Sequence, residues 1–331
     1  MKKRLMAGLS LLLMASVAGA QANPPAPAQP PAPAQASSAP QNTNETIKRQ
    51  VNLVNVLFTV TDKKGHMRLN LTRDAFRIAE DGVPQKIQYF SRETDLPLRI
   101  GVLIDTSNSV RERLHFEEEA AIDFLDSAIR PGDDAAFVVG FDVEPQLLQD
   151  YTDNTDKLSG AIRGLAAGGT TSLYDAIYFA CKQKMLSLPA TGPYLRRVLI
   201  VVSDGHDNTS THDRDEALAM AQQSEAIIYT ISTNNSGANV TTDDVHGNGS
   251  SGDNVLKYFA ERTGGRPFFP FEATDLASNF QEIKNELRSQ YSLAYVSTND
   301  KRDGTFRRIS LETVEKGLRV RSKAGYYAPA P

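Results

Sequence analysis

The stretch that decides the fold is Arg99-Ile100-Gly101-Val102-Leu103-Ile104-Asp105-Thr106-Ser107-Asn108-Ser109. Its first part is a nearly continuous apolar run, which is typical of a parallel strand buried on both faces. Its last part carries one carboxylate and two hydroxyls in an Asp-x-Ser-x-Ser pattern. Side chains that leave the carboxyl end of such a strand can converge on one hard cation, which prefers oxygen ligands.

Two later segments supply the same kinds of oxygen at similar positions. Residues 198–202 form a second apolar run, which leads into Ser203-Asp204-Gly205. The turn Gly168-Gly169-Thr170-Thr171 comes just before a stretch with helical periodicity. Because the carboxyl ends of parallel strands meet at one edge of a sheet, we expect these oxygens to lie close together. The sequence therefore predicts a divalent-metal site on an α/β domain.

Strand-like and helix-like stretches alternate over residues 98–289, and this alternation predicts the fold class. The predicted strands are 99–105, 135–141, 197–203, 226–232 and 266–270. The predicted helices lie near 111–129, 155–165, 172–186, 214–223, 253–262 and 273–289. In the first helix, apolar residues at i, i+3, i+4 and i+7 predict the face that lies on the sheet; they are Ala121, Phe124, Leu125 and Ala128. We therefore predict a doubly wound, mostly parallel α/β sheet of Rossmann-like type.

Segments rich in short strands flank this region on both sides. Residues 48–95 and 290–328 each alternate strand-like runs with turns such as Glu80-Asp81-Gly82. Neither segment has enough strands to bury a core alone, since isolated hairpins are marginally stable. We expect the two segments to pair into one small β domain, into which the α/β domain is inserted.

The first 45 residues predict export. Residues 1–20 have a basic start, an apolar centre and small residues at the end, as a signal peptide does. The apolar centre is too short for a membrane span, so no membrane insertion is expected after signal removal. Residues 21–45 are rich in Pro and Ala and predict an extended tether. The expected location is the periplasm or the cell exterior.

Charge and cysteine content exclude several classes of partner and linkage. Removal of residues 1–20 takes away three basic residues, which leaves 36 − 3 = 33 Lys and Arg against 40 Asp and Glu. The net charge of −7 argues against nucleic acid and anionic membranes as partners. Cys181 is the only cysteine, so no intrachain disulfide can form. It falls on the apolar face of a predicted helix and is interpreted as a buried core thiol.

These motifs together resemble the metal-ion-dependent adhesion site of von Willebrand factor type A domains. The flanking runs 74–87 and 325–328 look like those of exported bacterial proteins related to that family. The resemblance implies Mg²⁺, with Mn²⁺ as the next choice, and the metal ligands Asp105, Ser107, Ser109, Thr171 and Asp204. Thr170 competes with Thr171, which is preferred because Ala176 and Ile177 then fall at the spacing that the family shows.

The resemblance implies a metal-dependent protein-binding or adhesion module. Few carboxylates and several neutral hydroxyls leave a dication incompletely neutralised, so an Asp or Glu carboxylate from a partner can complete its shell. An alternative is a structural subunit of an envelope assembly with an idle metal site. A metal-dependent hydrolase is disfavoured, because Ser107 stands where aspartyl phosphatases need a second carboxylate. The chain is therefore not expected to be an enzyme, and its oligomeric state is left open.

Three other features are given structural interpretations. The run Glu117-Glu118-Glu119 is expected on the solvent side of a helix. Residues 234–254 lack periodicity and predict a long loop, with partner selection and simple disorder as the open alternatives. The polar residues after Asp204 have two interpretations, a second metal site and a solvated loop, of which the loop is preferred. They are His206, Asp207, His212 and Asp213.

Overall fold

The computed structural model describes residues 53–93, 96–188, 195–234, 252–270 and 273–330. Its strands in chain order are β1 (Leu53–Asp62), β2 (Phe76–Glu80), β3 (Val83–Gln85), β4 (Ile87–Glu93), β5 (Leu98–Asp105), β6 (Ala135–Phe141), β7 (Pro145–Thr152), β8 (Arg196–Ser203), β9 (Ile227–Ser232), β10 (Pro267–Phe268), β11 (Gln290–Val296), β12 (Phe306–Thr313), β13 (Leu318–Ser322) and β14 (Gly325–Tyr327). Its α-helices are α1 (Leu114–Ala128), α2 (Thr155–Ile162), α3 (Leu173–Phe179), α4 (Arg214–Gln223), α5 (Gly252–Thr263) and α6 (Ala273–Leu287).

The central sheet has the strand order β10-β9-β8-β5-β6-β7. All of its neighbouring pairs are parallel except β6 and β7, which are antiparallel. The predicted fold class is thus confirmed. The prediction missed β7, an edge strand whose side chains are mostly exposed or half-buried. An edge strand of this kind has one pairing partner and little apolar content, so its sequence pattern is weak.

Helices cover both faces of the central sheet. One apolar core lies between the sheet and helices α1, α2 and α6, and the other lies between the sheet and helices α3, α4 and α5. In β5, Val102 and Ile104 contribute to the first core while Leu103 contributes to the second, as alternation along a strand requires. These side chains are fully buried, which explains the continuous apolar run in the sequence.

The two flanking segments pair with each other. Strand β1 pairs antiparallel with β11 and with β13, and β2 pairs antiparallel with β12. They form two four-stranded sheets with the orders β13-β1-β11-β4 and β14-β12-β2-β3. A third apolar core includes Phe58, Phe76 and Tyr291, whose rings lie within 6.0 Å of one another by centroid distance. In chain order, the elements of the central sheet thus lie between the two segments that pair.

Cys181 is confirmed as a buried free thiol. It lies in a π-helical turn, Ala180–Met185, that continues α3. Burial raises the pKa of its thiol to about 12, so the reactive thiolate is scarce at neutral pH.

Three predicted segments lie wholly or mostly in the part of the chain that the structure does not describe. The signal peptide, the tether and most of the loop 234–254 lie outside the described residues. Within the described part of the chain, no helix has both the length and the apolar character needed to cross a bilayer.

Deletion of the carboxyl-terminal flank tests the pairing of the two flanks. In a chain that ends at Ser289, we expect the amides of Leu53–Asp62 to lose protection from hydrogen exchange, because both partners of β1 are gone. The amides of Leu98–Asp105 should stay protected, since their partners remain. Unchanged protection in β1 would contradict the pairing.

A glycine in the central strand tests how tightly the sheet is packed. A Cβ atom at Gly101 would lie 2.3 Å from Cζ of Phe137 and 2.6 Å from Cδ2 of Leu199. Gly101→Ala should therefore lower the free energy of unfolding by about 1–3 kcal/mol, measured by urea denaturation. Gly160→Ala is the control, because its Cβ meets no atom within 4 Å and helix α2 favours Ala over Gly. Equal stability of the two variants would contradict this packing.

Candidate metal site

The structure brings the predicted ligands to one edge of the central sheet. Asp105 is the last residue of β5, and Asp204 directly follows the neighbouring strand β8. Residue Ile104 is paired with Val202, so the two strands end side by side. The two serines follow Asp105 in the turn before α1, and Thr171 lies in the loop before α3.

The Asp105 carboxylate is fully buried and held on both oxygens. Its Oδ1 accepts a hydrogen bond from the backbone N–H of Ser107 at 2.9 Å, and its Oδ2 accepts one from the Ser203 hydroxyl at 2.6 Å. Burial nevertheless raises its pKa to about 6, against the effect of these hydrogen bonds, and nearby Asp204 raises it further. A nearby cation would favour the charged form of this group.

Hydroxyl groups lie beside Asp105. The hydroxyls of Ser107 and Ser109 are 2.9 Å apart; Ser107 is buried and Ser109 is exposed. Two hydrogen bonds, one from a backbone N–H and one from a side-chain amide, hold the threonine loop against this turn. The N–H of Gly168 donates to the carbonyl of Thr106 at 2.7 Å, and the Asn108 amide donates to the carbonyl of Gly169 at 3.0 Å.

The two threonines differ in their surroundings. Thr170 is exposed, and its hydroxyl donates to the Thr209 hydroxyl at 3.2 Å. Thr171 is buried, and its hydroxyl has no hydrogen bond within the part of the chain that the structure describes. The Thr171 hydroxyl is therefore the one available to a ligand.

Asp204 is held in place by its own loop and by α5. Its carboxylate Oδ1 accepts the N–H of His206 at 3.0 Å, and Nδ1 of His206 lies 3.3 Å from the same atom. Gly205 has φ +78°, and a Cβ there would lie 2.1 Å from the carbonyl oxygen of Gly252. Only glycine tolerates both the positive φ and this contact with the start of α5.

Sequence reasoning missed two polar residues at this edge. The Ser203 hydroxyl donates a hydrogen bond to the Asp105 carboxylate, whereas the sequence pattern identified Ser203 only as part of the Ser-Asp-Gly turn. Glu117 was expected on the solvent side of α1, and that expectation is wrong because its side chain is fully buried. The apolar face of α1 includes Ala121, so one turn earlier the same periodicity reaches position 117. Extending that pattern would have predicted the burial of Glu117.

The loop after Asp204 has a structural role. The His212 ring stacks on Tyr178 with centroids 3.7 Å apart, and its Nδ1 lies 2.6 Å from Oδ1 of Asp175. Asp207 accepts the N–H of Tyr174 at 3.0 Å and the hydroxyl of Ser210 at 2.6 Å. These contacts bind the loop to the first turn of α3.

The chemistry of the donor set fits a hard cation. No three His, Cys, Asp or Glu side chains of the described residues lie close enough together to hold a metal ion. An ion at this edge would therefore need the hydroxyls as ligands. The Ser172 hydroxyl and both oxygens of Glu117 are buried without hydrogen-bond partners in the described structure, and Glu117 is the one carboxylate among the described residues with both oxygens in this state. Each buried polar group of this kind requires a physical explanation.

Comparison with known proteins agrees with this architecture. Residues 100–206 match the von Willebrand factor type A domain family. Comparison with curated proteins gave no match.

Solved structures that are similar in fold come from several sources. An aerotolerance-related membrane protein from Bacteroides fragilis is 14% identical, with 57% of this chain and 99% of that chain covered and a TM-score of 0.44. The von Willebrand factor domain of the type V pili tip protein Mfa5 from Porphyromonas gingivalis is 16% identical, with 58% and 95% covered and a TM-score of 0.44. Proximal thread matrix protein 1 from the mussel byssus, with a zinc-occupied adhesion motif, is 13% identical, with 63% and 49% covered and a TM-score of 0.47.

Paired variants test which threonine binds metal. Thr171→Ala should weaken Mn²⁺ binding by about tenfold or more, measured by isothermal titration calorimetry, because it removes a buried hydroxyl that has no hydrogen bond among the described residues. Thr170→Ala should leave the affinity unchanged, because that hydroxyl is exposed and bonded to Thr209. The opposite ranking would reassign the ligand to Thr170.

Proposed function

We propose that this chain, whose residues 100–206 match the von Willebrand factor type A domain family, is an exported protein-binding module. It captures an Asp or Glu carboxylate of a partner protein through a Mg²⁺ ion, with Mn²⁺ as a substitute. The residues that would hold the ion, directly or through water, are Asp105, Ser107, Ser109, Thr171 and Asp204. Von Willebrand factor type A domains typically serve adhesion or protein interaction, which agrees with this role.

One observation carries the proposal, namely the buried Asp105 carboxylate at the open end of β5 with free or mutually bonded hydroxyls beside it. Hydroxyl and carboxylate oxygens are the ligands that Mg²⁺ and Mn²⁺ prefer. When bound, the ion supplies a positive centre for an incoming anionic oxygen. The chain itself orients Asp105 through Ser107 and Ser203, and these contacts keep its oxygens in one position.

The exposure of the site supports binding to an outside partner. Asn108 and Ser109 are exposed, whereas Asp105 and Thr171 beneath them are buried. A partner carboxylate can thus approach from solvent, while the ligands beneath stay fixed. Neutral hydroxyl ligands leave positive charge on the ion that a partner can neutralise.

We favour binding over catalysis as the role of this edge. Both oxygens of Asp105 accept hydrogen bonds within the protein, which lowers the nucleophilicity that an aspartyl phosphatase would need. A structural subunit with an idle metal site is the second candidate. The signal-like residues 1–20 and the tether 21–45 support a place in the periplasm or outside the cell for either role.

Partner capture from an envelope extract of the source organism tests the proposal. The chain from Gln21 onward, immobilised with Mg²⁺, should retain a partner that EDTA releases and that added Mg²⁺ restores. Asp105→Ala should abolish capture, because the ion loses its fixed buried carboxylate. Bound proteins are identified and quantified by mass spectrometry.

Glu119, an exposed acid of helix α1, provides the control. Glu119→Gln should capture as well as the unaltered chain, because a solvent-exposed charge contributes little. If EDTA leaves capture unchanged, contact through the ion is excluded and the structural-subunit candidate is favoured. Hydrolysis of a phosphoester or peptide substrate that needs Asp105 would instead favour an enzyme.

A further inference from the structure

The buried acid Glu117 has no hydrogen-bond partner among the residues that the structure describes. It lies in the first turn of α1, and its side chain has no solvent exposure. Neither carboxylate oxygen has a hydrogen-bond partner within the described residues. A buried carboxylate without compensation is costly, so a native protein that keeps one requires a physical explanation.

Ordinary structural roles do not explain this carboxylate. The helix begins after Arg113, and no side-chain hydrogen bond caps it. The nearby Arg113 guanidinium partly offsets the charge of Glu117, but it donates its hydrogen bond to the carbonyl of Thr233. No ion pair to Glu117 occurs among the described residues, although neighbouring Glu118 and Glu119 both lie within 4 Å of His115. Glu117 thus differs from the two acids that follow it.

Four charged groups act on Glu117: Asp105 and Asp204 of the candidate metal site, and Arg113 and Glu118 of the chain around Glu117 itself. Burial raises its pKa to about 8, and the charge of Asp105 is the next largest cause, while Asp204 and Glu118 add smaller contributions. Glu117 therefore lies near the carboxylates at the ends of β5 and β8, on the α1 side of the sheet. A cation near these three acids would favour their charged forms.

We propose that Glu117 is an additional, charge-compensating residue of the cation site, in a position behind Asp105 and Asp204. The proposal rests on the proposed function and extends it to the selection of a divalent cation. We place Glu117 outside the ligand shell, because no three acidic, His or Cys side chains of the described structure are close enough to hold an ion together. It acts across the buried interior or through water, where charges interact more strongly than in solvent.

This role gives Glu117 opposite effects on the empty and the loaded protein. In the absence of a cation, Asp105 disfavours the negative charge on Glu117, whose carboxylate has no hydrogen bond among the described residues. With a divalent cation at the site, the same carboxylate helps to balance the positive charge. Glu117 should therefore cost stability without metal and add affinity for metal. A purely structural residue would stabilise the empty protein and leave metal affinity unaffected.

Glu117→Gln tests this proposal in the full chain from Gln21 onward. Titration calorimetry with Mn²⁺ and with Mg²⁺ should show affinity lowered by about tenfold or more. The thermal midpoint in EDTA should stay equal or rise by a few degrees, because the amide removes a buried acid that has no hydrogen bond among the described residues. Glu119→Gln is the matched control, because it makes the same chemical change at an exposed position of the same helix.

The outcomes separate this proposal from the proposed function. If the unaltered chain binds no Mn²⁺ or Mg²⁺, both are overturned. If it binds one ion and Glu117→Gln binds with the affinity of the control, only the role of Glu117 is overturned. Glu117→Met keeps the side-chain size without polar atoms, and it gives the same readout if the Gln variant does not fold. Weakened binding in either variant, with the control unchanged, supports the proposal.

Discussion

The parallel pairing of β5 with β8 is the constraint on which the rest of the site depends. The register sets Ile104 beside Val202, so the first polar residues after each apolar run emerge together. The Ser203 hydroxyl then donates to Asp105 at 2.6 Å. This single buried hydrogen bond joins the two strand ends and orients the carboxylate toward the hydroxyl-rich turn. Without the pairing, Asp105 and Asp204 would be unrelated acids on two separate loops.

The inserted arrangement of the domains requires a defined junction, and buried polar groups provide it. Glu286 in α6 accepts hydrogen bonds from Tyr229 at 2.7 Å and from Thr59 of β1 at 3.2 Å. Arg321 of β13 forms an ion pair with the same carboxylate. One acid thus connects the α/β domain to both flanks. Such a network adds little net stability over an apolar contact, but losing one partner leaves an uncompensated charge, so it specifies one docking geometry.

Buried acids have different surroundings at the sheet edge that holds Asp105 and at the junction that holds Glu286. At the junction, the charge of Glu286 is matched by Arg321 and by two hydroxyl donors within the protein. At the edge that holds Asp105, this acid has donors but no ion pair among the described residues, and Glu117 there has neither a donor nor an ion pair. Differences in compensation of this kind are expected between structural acids and acids of a binding site.

Much of the fold was predictable from local sequence, because apolar periodicity and turn residues report which face of each element is buried. The alternation of strands and helices predicted the central sheet, and strand ends predicted that Asp105 and Asp204 would share an edge. The preference for Thr171 over Thr170 stays a prediction, although burial favours it. Strand β7 was missed because an exposed edge strand carries little apolar pattern.

Tertiary structure alone decided what each buried polar group faces. The periodicity of α1 places position 117 on the inner face. In the sequence alone, however, a glutamate at this position suggests that the apolar face of the helix does not extend this far. Only the packing of α1 on the sheet shows that Glu117 lies near Asp105 and Asp204 and has no hydrogen-bond donor of its own among the described residues. Local sequence determines which face a side chain occupies, because that depends on the helical or strand repeat. Its electrostatic partners come from distant segments, because they depend on how the elements pack.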